Sequence, residues 1–206
     1  MIDQSPVFTY RFTPIADQTP AFFFVTTECP IFIGIFDGFS WIRCEGKGSF
    51  LNSPTLKEYG DSRIAAGESC LVIDLEACTG MDSTFMGTLA GMASRLAAQS
   101  AGVLHIAQAC PRNQRSLEDL GLDFLMEINP TNAVWLENLP AIRSQIRPSV
   151  PLPTPSIAQR ALHVLDAHKT LADTNEQNAA TFANVVKLLE SNINDKQRPP
   201  SSNEAI

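Results

Sequence analysis

The sequence predicts a mixed α/β fold: a sheet of four to five strands, helices packed on one face of it, and a helical extension at the C-terminus. Three observations carry this. Asp37-Gly38, a dipeptide suited to a tight turn, joins two short runs rich in β-branched and aromatic residues, which is hairpin chemistry. Cys70 to Leu75 and Val103 to Ala107 are short and almost wholly apolar, the pattern of strands buried on both faces. Helical periodicity lies between them, and strand–helix–strand order implies parallel pairing.

In chain order, Ile31 to Phe36 and Ser40 to Glu45 are the hairpin strands, and Gly46-Lys47-Gly48 ends the second. Asn52-Ser53-Pro54 starts a helix that runs to about Ala66, with Ser53 as cap and Pro54 in the first position. After the strand at Cys70, a turn from Ala77 to Asp82 leads into a helix whose apolar stripe is Phe85, Leu89, Met92 and Leu96. The Val103 strand precedes a helix from Asn113 to Leu120, closed by Gly121, and Phe124 to Ile128 is a last strand. Ala133 to Ile146 reads as a helix. Arg147 to Pro155 carries four prolines and reads as a linker without regular structure. Two helices follow, and Ala179, Phe182, Val186, Leu189 and Ile193 on the second have coiled-coil-like spacing that admits a homodimer through this helix. The domain plan is an irregular leader (1–30), an α/β domain (31–146), a Pro-rich linker (147–156), a helical extension (157–193) and a disordered tail (194–206).

Charge narrows the partners. A net charge of −7 and a pI near 4.9 argue against nucleic acid and against anionic membrane surfaces, both of which need clustered Lys and Arg, so a protein partner is expected. Five cysteines without a CxxC pair, and no secretory leader pattern, point to reduced thiols in a cytoplasmic chain. The apolar segment from Pro20 to Phe36 is interrupted by Glu28 and Pro30 and is too short for a membrane span, which needs about 20 continuous apolar residues. There is no nucleophile elbow, zinc-protease motif, dinucleotide fingerprint or phosphate loop. His163 and His168, five apart, are poorly spaced for a shared metal. No catalytic residue, metal site or cofactor is expected. Asp74 and Glu76, alternate residues without a partner histidine, read as a strand end, and Cys78 lacks an evident activating cation.

The informative stretch is Asp74-Leu75-Glu76-Ala77-Cys78-Thr79-Gly80-Met81-Asp82-Ser83-Thr84-Phe85-Met86-Gly87-Thr88-Leu89. A buried strand ending in acid, a short turn, then Asp-Ser-Thr opening a helix resembles the phosphoacceptor segment of STAS domains in bacterial anti-sigma-factor antagonists. The resemblance spans about residues 31 to 129 and includes the Leu-Glu-Asp-Leu-Gly-Leu segment at 117–122. It implies phosphorylation at Ser83, with Thr84 as a secondary acceptor. It also implies a partner surface of Asp82, Ser83, Thr84, Phe85 and Met86. The unmodified chain would bind an anti-sigma factor that is also a serine kinase and so regulate transcription. A phosphatase would reset the switch, and the chain itself would not be an enzyme. Phosphate at Ser83 would add a charge of about −1.5 to −2 beside Asp82. Relatives commonly carry glycine where this chain has Phe85, which bears on partner choice. Ser83 would in any case suit a helix N-cap. The alternatives are a STAS-like scaffold, an accessory subunit of a transporter or stress-signalling complex that is never phosphorylated, and an enzyme with an unfamiliar site on the α/β body.

Overall fold

The computed structural model describes residues 30–99, 102–150, 153 and 155–197. The expectations for leader residues 1–29, for linker positions 151, 152 and 154, and for tail residues 198–206 lie outside the described residues.

The elements are β1 (Ile31–Phe36), β2 (Phe39–Cys44), β3 (Gly46–Gly48), α1 (Ser53–Ala65), β4 (Cys70–Asp74), β5 (Cys78–Met81), α2 (Ser83–Ala97), β6 (Val103–Ala107), α3 (Pro111–Glu118), β7 (Glu127–Ile128), α4 (Leu139–Gln145), β8 (Arg147–Pro148), α5 (Ile157–Ala172) and α6 (Glu176–Gln197). The main sheet runs β7-β6-β4-β2-β1-β8. The opening hairpin β1–β2 is antiparallel, and β2–β4, β4–β6 and β6–β7 are parallel, as crossover helices require.

Alternation along the strands sends side chains to two different layers. Ile42, Leu71 and Ile73 face α1 and α2, where they meet Leu56, Phe85, Leu89 and Met92 in the larger core. Trp41 and Val72 face the other way, onto Trp135 and Ile142. The mixed α/β class therefore stands, with more cover than helices on one face. A 3-10 turn at Leu136–Asn138 and the short α4 close the second face, because Trp41 and Val72 would otherwise leave apolar surface in water. The stretch read as one helix from Ala133 to Ile146 is split in this way, and Pro140, which has no N–H to give, sits in the first turn of α4.

Four further readings are corrected. Gly46–Gly48 does not simply end a strand: it pairs in parallel with Cys78–Met81, inside the stretch expected to be a turn, and forms a second, two-stranded sheet. Arg147–Pro148 pairs with β1, so the domain reaches two residues into the expected linker; a proline is tolerated there because β8 is an edge strand. Helix α6 runs to Gln197, past the boundary set at 193. Asn52, not Ser53, holds the cap position of α1; its side chain accepts from the Ser49 N–H and donates to the Lys47 carbonyl, which leaves Ser53 as the first helical residue.

The last two helices form a hairpin that packs on the domain. Ser156 and Gln159 make a capping box at the start of α5, and Asn175 accepts from the Asn178 N–H at the start of α6. Leu171 and Phe182 join the same core as Leu89 and Ile73. Phe182, Val186, Leu189 and Ile193 form the partly or fully buried side of α6, whereas Ala179 is exposed. The stripe expected to serve a second copy is thus largely taken up within the chain. Among the described residues no helix is long and apolar enough to cross a membrane.

Candidate functional site

The site is built where β5 turns into α2. Asp82 is the N-cap of α2, in extended backbone, and its Oδ1 accepts from the Phe85 N–H at 2.9 Å. Its Oδ2 accepts from the Phe50 N–H at 2.9 Å, and its own N–H donates to the Gly48 carbonyl at 2.9 Å. One carboxylate therefore ties the loop before α1 to the start of α2. Capping here belongs to Asp82, and Ser83, considered as a cap from the sequence, is the first residue inside the helix.

The five residues expected on the partner surface separate. Asp82, Ser83 and Met86 are partly exposed. Thr84 is 4% exposed and Phe85 0%, which corrects their placement as secondary phosphoacceptor and apolar contact: a kinase or partner cannot reach a side chain sealed in the core. The Phe85 ring lies so close to Gly48 that a Cβ on Gly48 would sit 2.9 Å from its carbons. The bulk at position 85 is thus accommodated inward, by the missing side chain at 48, and leaves the surface unchanged. The exposed apolar residues beside Asp82 are Phe50 and Leu51, on the loop whose N–H it binds. Their only sequence signal was the Asn52-Ser53-Pro54 helix start that follows them.

The Ser83 hydroxyl is engaged. Its Oγ lies 2.9 Å from His168 Nε2 on α5, and His168 Nδ1 lies 2.7 Å from the Val164 carbonyl. A carbonyl can only accept, so Nδ1 carries a proton, and in the neutral ring Nε2 accepts the Ser83 O–H. His168 is 7% exposed, and Phe182 packs edge-on against its ring. Ser53, the first residue of α1, makes the same kind of contact, with Oγ 2.8 Å from His163 Nε2. The five-residue spacing that made the two histidines poor metal ligands places one over each helix start. Burial, with Lys57 adding to it, pushes the His163 pKa down, while Asp166 and Asp82 oppose the shift. A Ser–His pair contains two members of a nucleophile–base constellation, but here the third partner of the imidazole is a backbone carbonyl rather than a carboxylate.

The remaining chemistry lies elsewhere. Asp74, fully buried, accepts from Arg43 at 2.8 Å and from Arg143 at 2.8 and 3.0 Å, and Glu76 meets the same two arginines. The acid pair at the strand end is thus neutralised by cations from β2 and α4. Cys78 is held as an easily ionised thiol, its pKa lowered to about 6 by a hydrogen bond from Cys44 and by the Gly80 and Gly48 backbone, against the opposing effect of burial, with Arg112 supplying the cation that the sequence did not reveal. At the far edge of the sheet His105 lines an open cleft with Gln114, Glu118 and Glu127. Its Nδ1 accepts from the Trp135 indole N–H at 3.1 Å, and Nε2 faces Glu127 at 3.2 Å.

A mixed sheet opened by a hairpin, with a helix that Asp82 caps and Ser83 begins after its central strand, defines a small α/β fold. A family model of the STAS domain matches residues 33–134, and this part of the chain is a STAS domain. No curated protein matches the sequence. Among solved structures, an anti-sigma factor antagonist from Mycobacterium paratuberculosis is similar at 24% identity and a TM-score of 0.46, over 56% of this chain and 94% of that one. A putative anti-sigma factor antagonist from Thermotoga maritima is similar at 17% identity and a TM-score of 0.45, over 54% and 92%. The Bacillus cell fate determinant SpoIIAA in its phosphorylated form is similar at 18% identity and a TM-score of 0.42, over 49% and 92%.

Proposed function

We propose that the chain is a cytoplasmic anti-sigma-factor antagonist whose binding is switched by phosphorylation of Ser83. The observation that carries the reading is the position of Ser83: it is the first residue of α2 in a STAS domain, held at a fixed place by the Asp82 cap, with partly exposed surface around it. The partner is a protein, an anti-sigma factor that is also a serine kinase. In the unmodified state it would rest on Asp82, Ser83, Met86 and the exposed apolar pair Phe50 and Leu51. Modification replaces the Oγ–H bond with an Oγ–P bond; the γ-phosphoryl group leaves a nucleoside triphosphate as the diphosphate departs, and the proton passes to the kinase's base. The new dianion beside Asp82 would repel an acidic partner face and desolvate poorly in an apolar one. A phosphatase would return the hydroxyl. The chain would act as substrate and ligand, without catalysis or cofactor of its own.

A second reading, a STAS scaffold that is never phosphorylated, is favoured by one observation: the Ser83 hydroxyl already has a partner in His168. Intact and tandem mass spectrometry of the protein from its native host, with phosphatases inhibited, decides between them. A phosphate localised to Ser83 and lost in Ser83→Ala supports the switch. A chain that remains unmodified under every growth condition supports the scaffold.

A further inference from the structure

We propose that the α5–α6 hairpin is a built-in cap on the Ser83 face, closed in this structure, that must lift before a kinase or partner can engage Ser83. This rests on the reading of Ser83 as the phosphoacceptor, and it adds a layer of control to that reading. Three features of the contact carry it.

The first is steric. Helix α5 crosses α2 one turn after Ser83, and it approaches so closely that a Cβ on Gly87 would lie 2.3 Å from the Ala167 carbonyl oxygen. A side chain of any kind at position 87 is incompatible with the closed arrangement. Glycine costs a helix interior stability relative to alanine, so its presence here answers to the approach of α5.

The second is chemical. The gap between Ser83 Oγ and His168 Nε2 is a hydrogen-bond length of 2.9 Å, with no space for a phosphorus atom and its three oxygens. A phosphorylated Ser83 has no Oγ proton to donate, so the modification and this hydrogen bond exclude each other. The His163–Ser53 pair, at the start of the neighbouring helix, fastens the same helix on the other side of the face.

The third is the nature of the fastening. Part of it is polar: the two Ser–His bonds, and at the hairpin tip the Asn175 and Asn178 amides donating to the Leu120 carbonyl at 3.3 and 2.8 Å. Water can satisfy each of these groups when the hairpin leaves, so release strands no buried charge. Leu171 and Phe182, inserted into the core, bias the equilibrium toward closure.

The test is accessibility at position 83, read in the full chain without any kinase. Ser83→Cys provides a thiol, iodoacetamide is the probe, and peptide-level mass spectrometry compares its labelling rate with that of Cys110, an exposed thiol that serves as internal reference. Adding Gly87→Ala, a change that favours α2 while obstructing α5, is expected to raise the relative rate by roughly tenfold. Adding Asn178→Ala in place of Gly87→Ala, far from Ser83 at the hairpin tip, is expected to raise it by a smaller factor. Unchanged rates in both, with thermal unfolding showing both variants folded, overturn the cap. Phosphosite mapping in the native host separates this result from the underlying reading. Faster labelling with more phosphate at Ser83 in Gly87→Ala supports both. Faster labelling with no phosphate at Ser83 in either chain supports the cap as a guard of this face and overturns the phosphoacceptor reading instead.

Discussion

Two polar clusters hold this molecule together by opposite means. At the carboxyl end of the central strand, Asp74 is fully buried among guanidinium groups from Arg43 and Arg143. At the docking face of α5, the contacts are neutral: Ser53 with His163 and Ser83 with His168. A buried charge left without its partner is expensive, so the first cluster resists opening. A neutral hydrogen bond exchanged for water costs little, so the second can open and close. The contrast teaches that permanence is written here in ionised pairs and reversibility in uncharged ones.

Breaking the ionic cluster has the largest expected effect. Asp74→Ala removes the fully buried acceptor that Arg43 and Arg143 share, leaving them the exposed Glu76, and is expected to cost about 3–5 kcal/mol, measured by denaturant unfolding. A loss no larger than that of a surface substitution would remove the distinction between the two regions. Leu171→Ala, which takes a fully buried side chain of α5 out of the shared core, is expected to cost about 2–5 kcal/mol. Hydrogen exchange should then show the amides of α5 and α6 losing protection ahead of those of β4; simultaneous loss would mean that the hairpin is an inseparable part of the domain. Asp82→Ala removes the cap of α2 and the tie to Phe50, at a cost of about 1 kcal/mol, and should loosen the loop at Phe50 and Leu51 without lifting α5.

The smallest effect is that of pH. His163 has a folded pKa below its ordinary value of 6.5, because of burial and of Lys57, with Asp166 and Asp82 opposing. The unfolded or undocked form therefore binds more protons between the two values. The stabilising contribution of His163 is fully present above 6.5 and is lost as pH falls from there through the lowered folded pKa. His105 is shifted in the same direction by burial, opposed by Glu127, and acts within the domain. Hydrogen exchange on the two sides of pH 6.5 is expected to show α5 losing protection at the lower pH. His163→Phe removes the titrating group and should flatten this trend; a trend of the same size in that variant would assign it to another group.

Much of the α/β body was legible before the structure. Val103 to Ala107 is a strand with the predicted limits, and the Asp37-Gly38 turn joins β1 to β2 as its composition requires. The β3–β5 pairing was not legible, because three residues of Gly-Lys-Gly and four of Cys-Thr-Gly-Met are too short for a period and hold a single β-branched residue, Thr79; they pair, with a register shift after Gly46, where β2 and β4 end side by side. Within the site, Asp82 and Ser83 were legible as the opening of a helix. The inward turn of Phe85 was not, since it depends on Gly48, which is distant along the chain and adjacent only in the fold.

Local chemistry thus determined by itself the hairpin, the central strands and the main helices, and it marked the Asp-Ser pair, because turn dipeptides, caps and hydrophobic period act over a few residues. The capped state of Ser83 was decided only in three dimensions. His168 lies 85 positions from Ser83 along the chain, and nothing in the residues around either one records that the other is its partner. Contacts of that separation exist only once the sheet has set the angle of α2 and the hairpin has found Gly87.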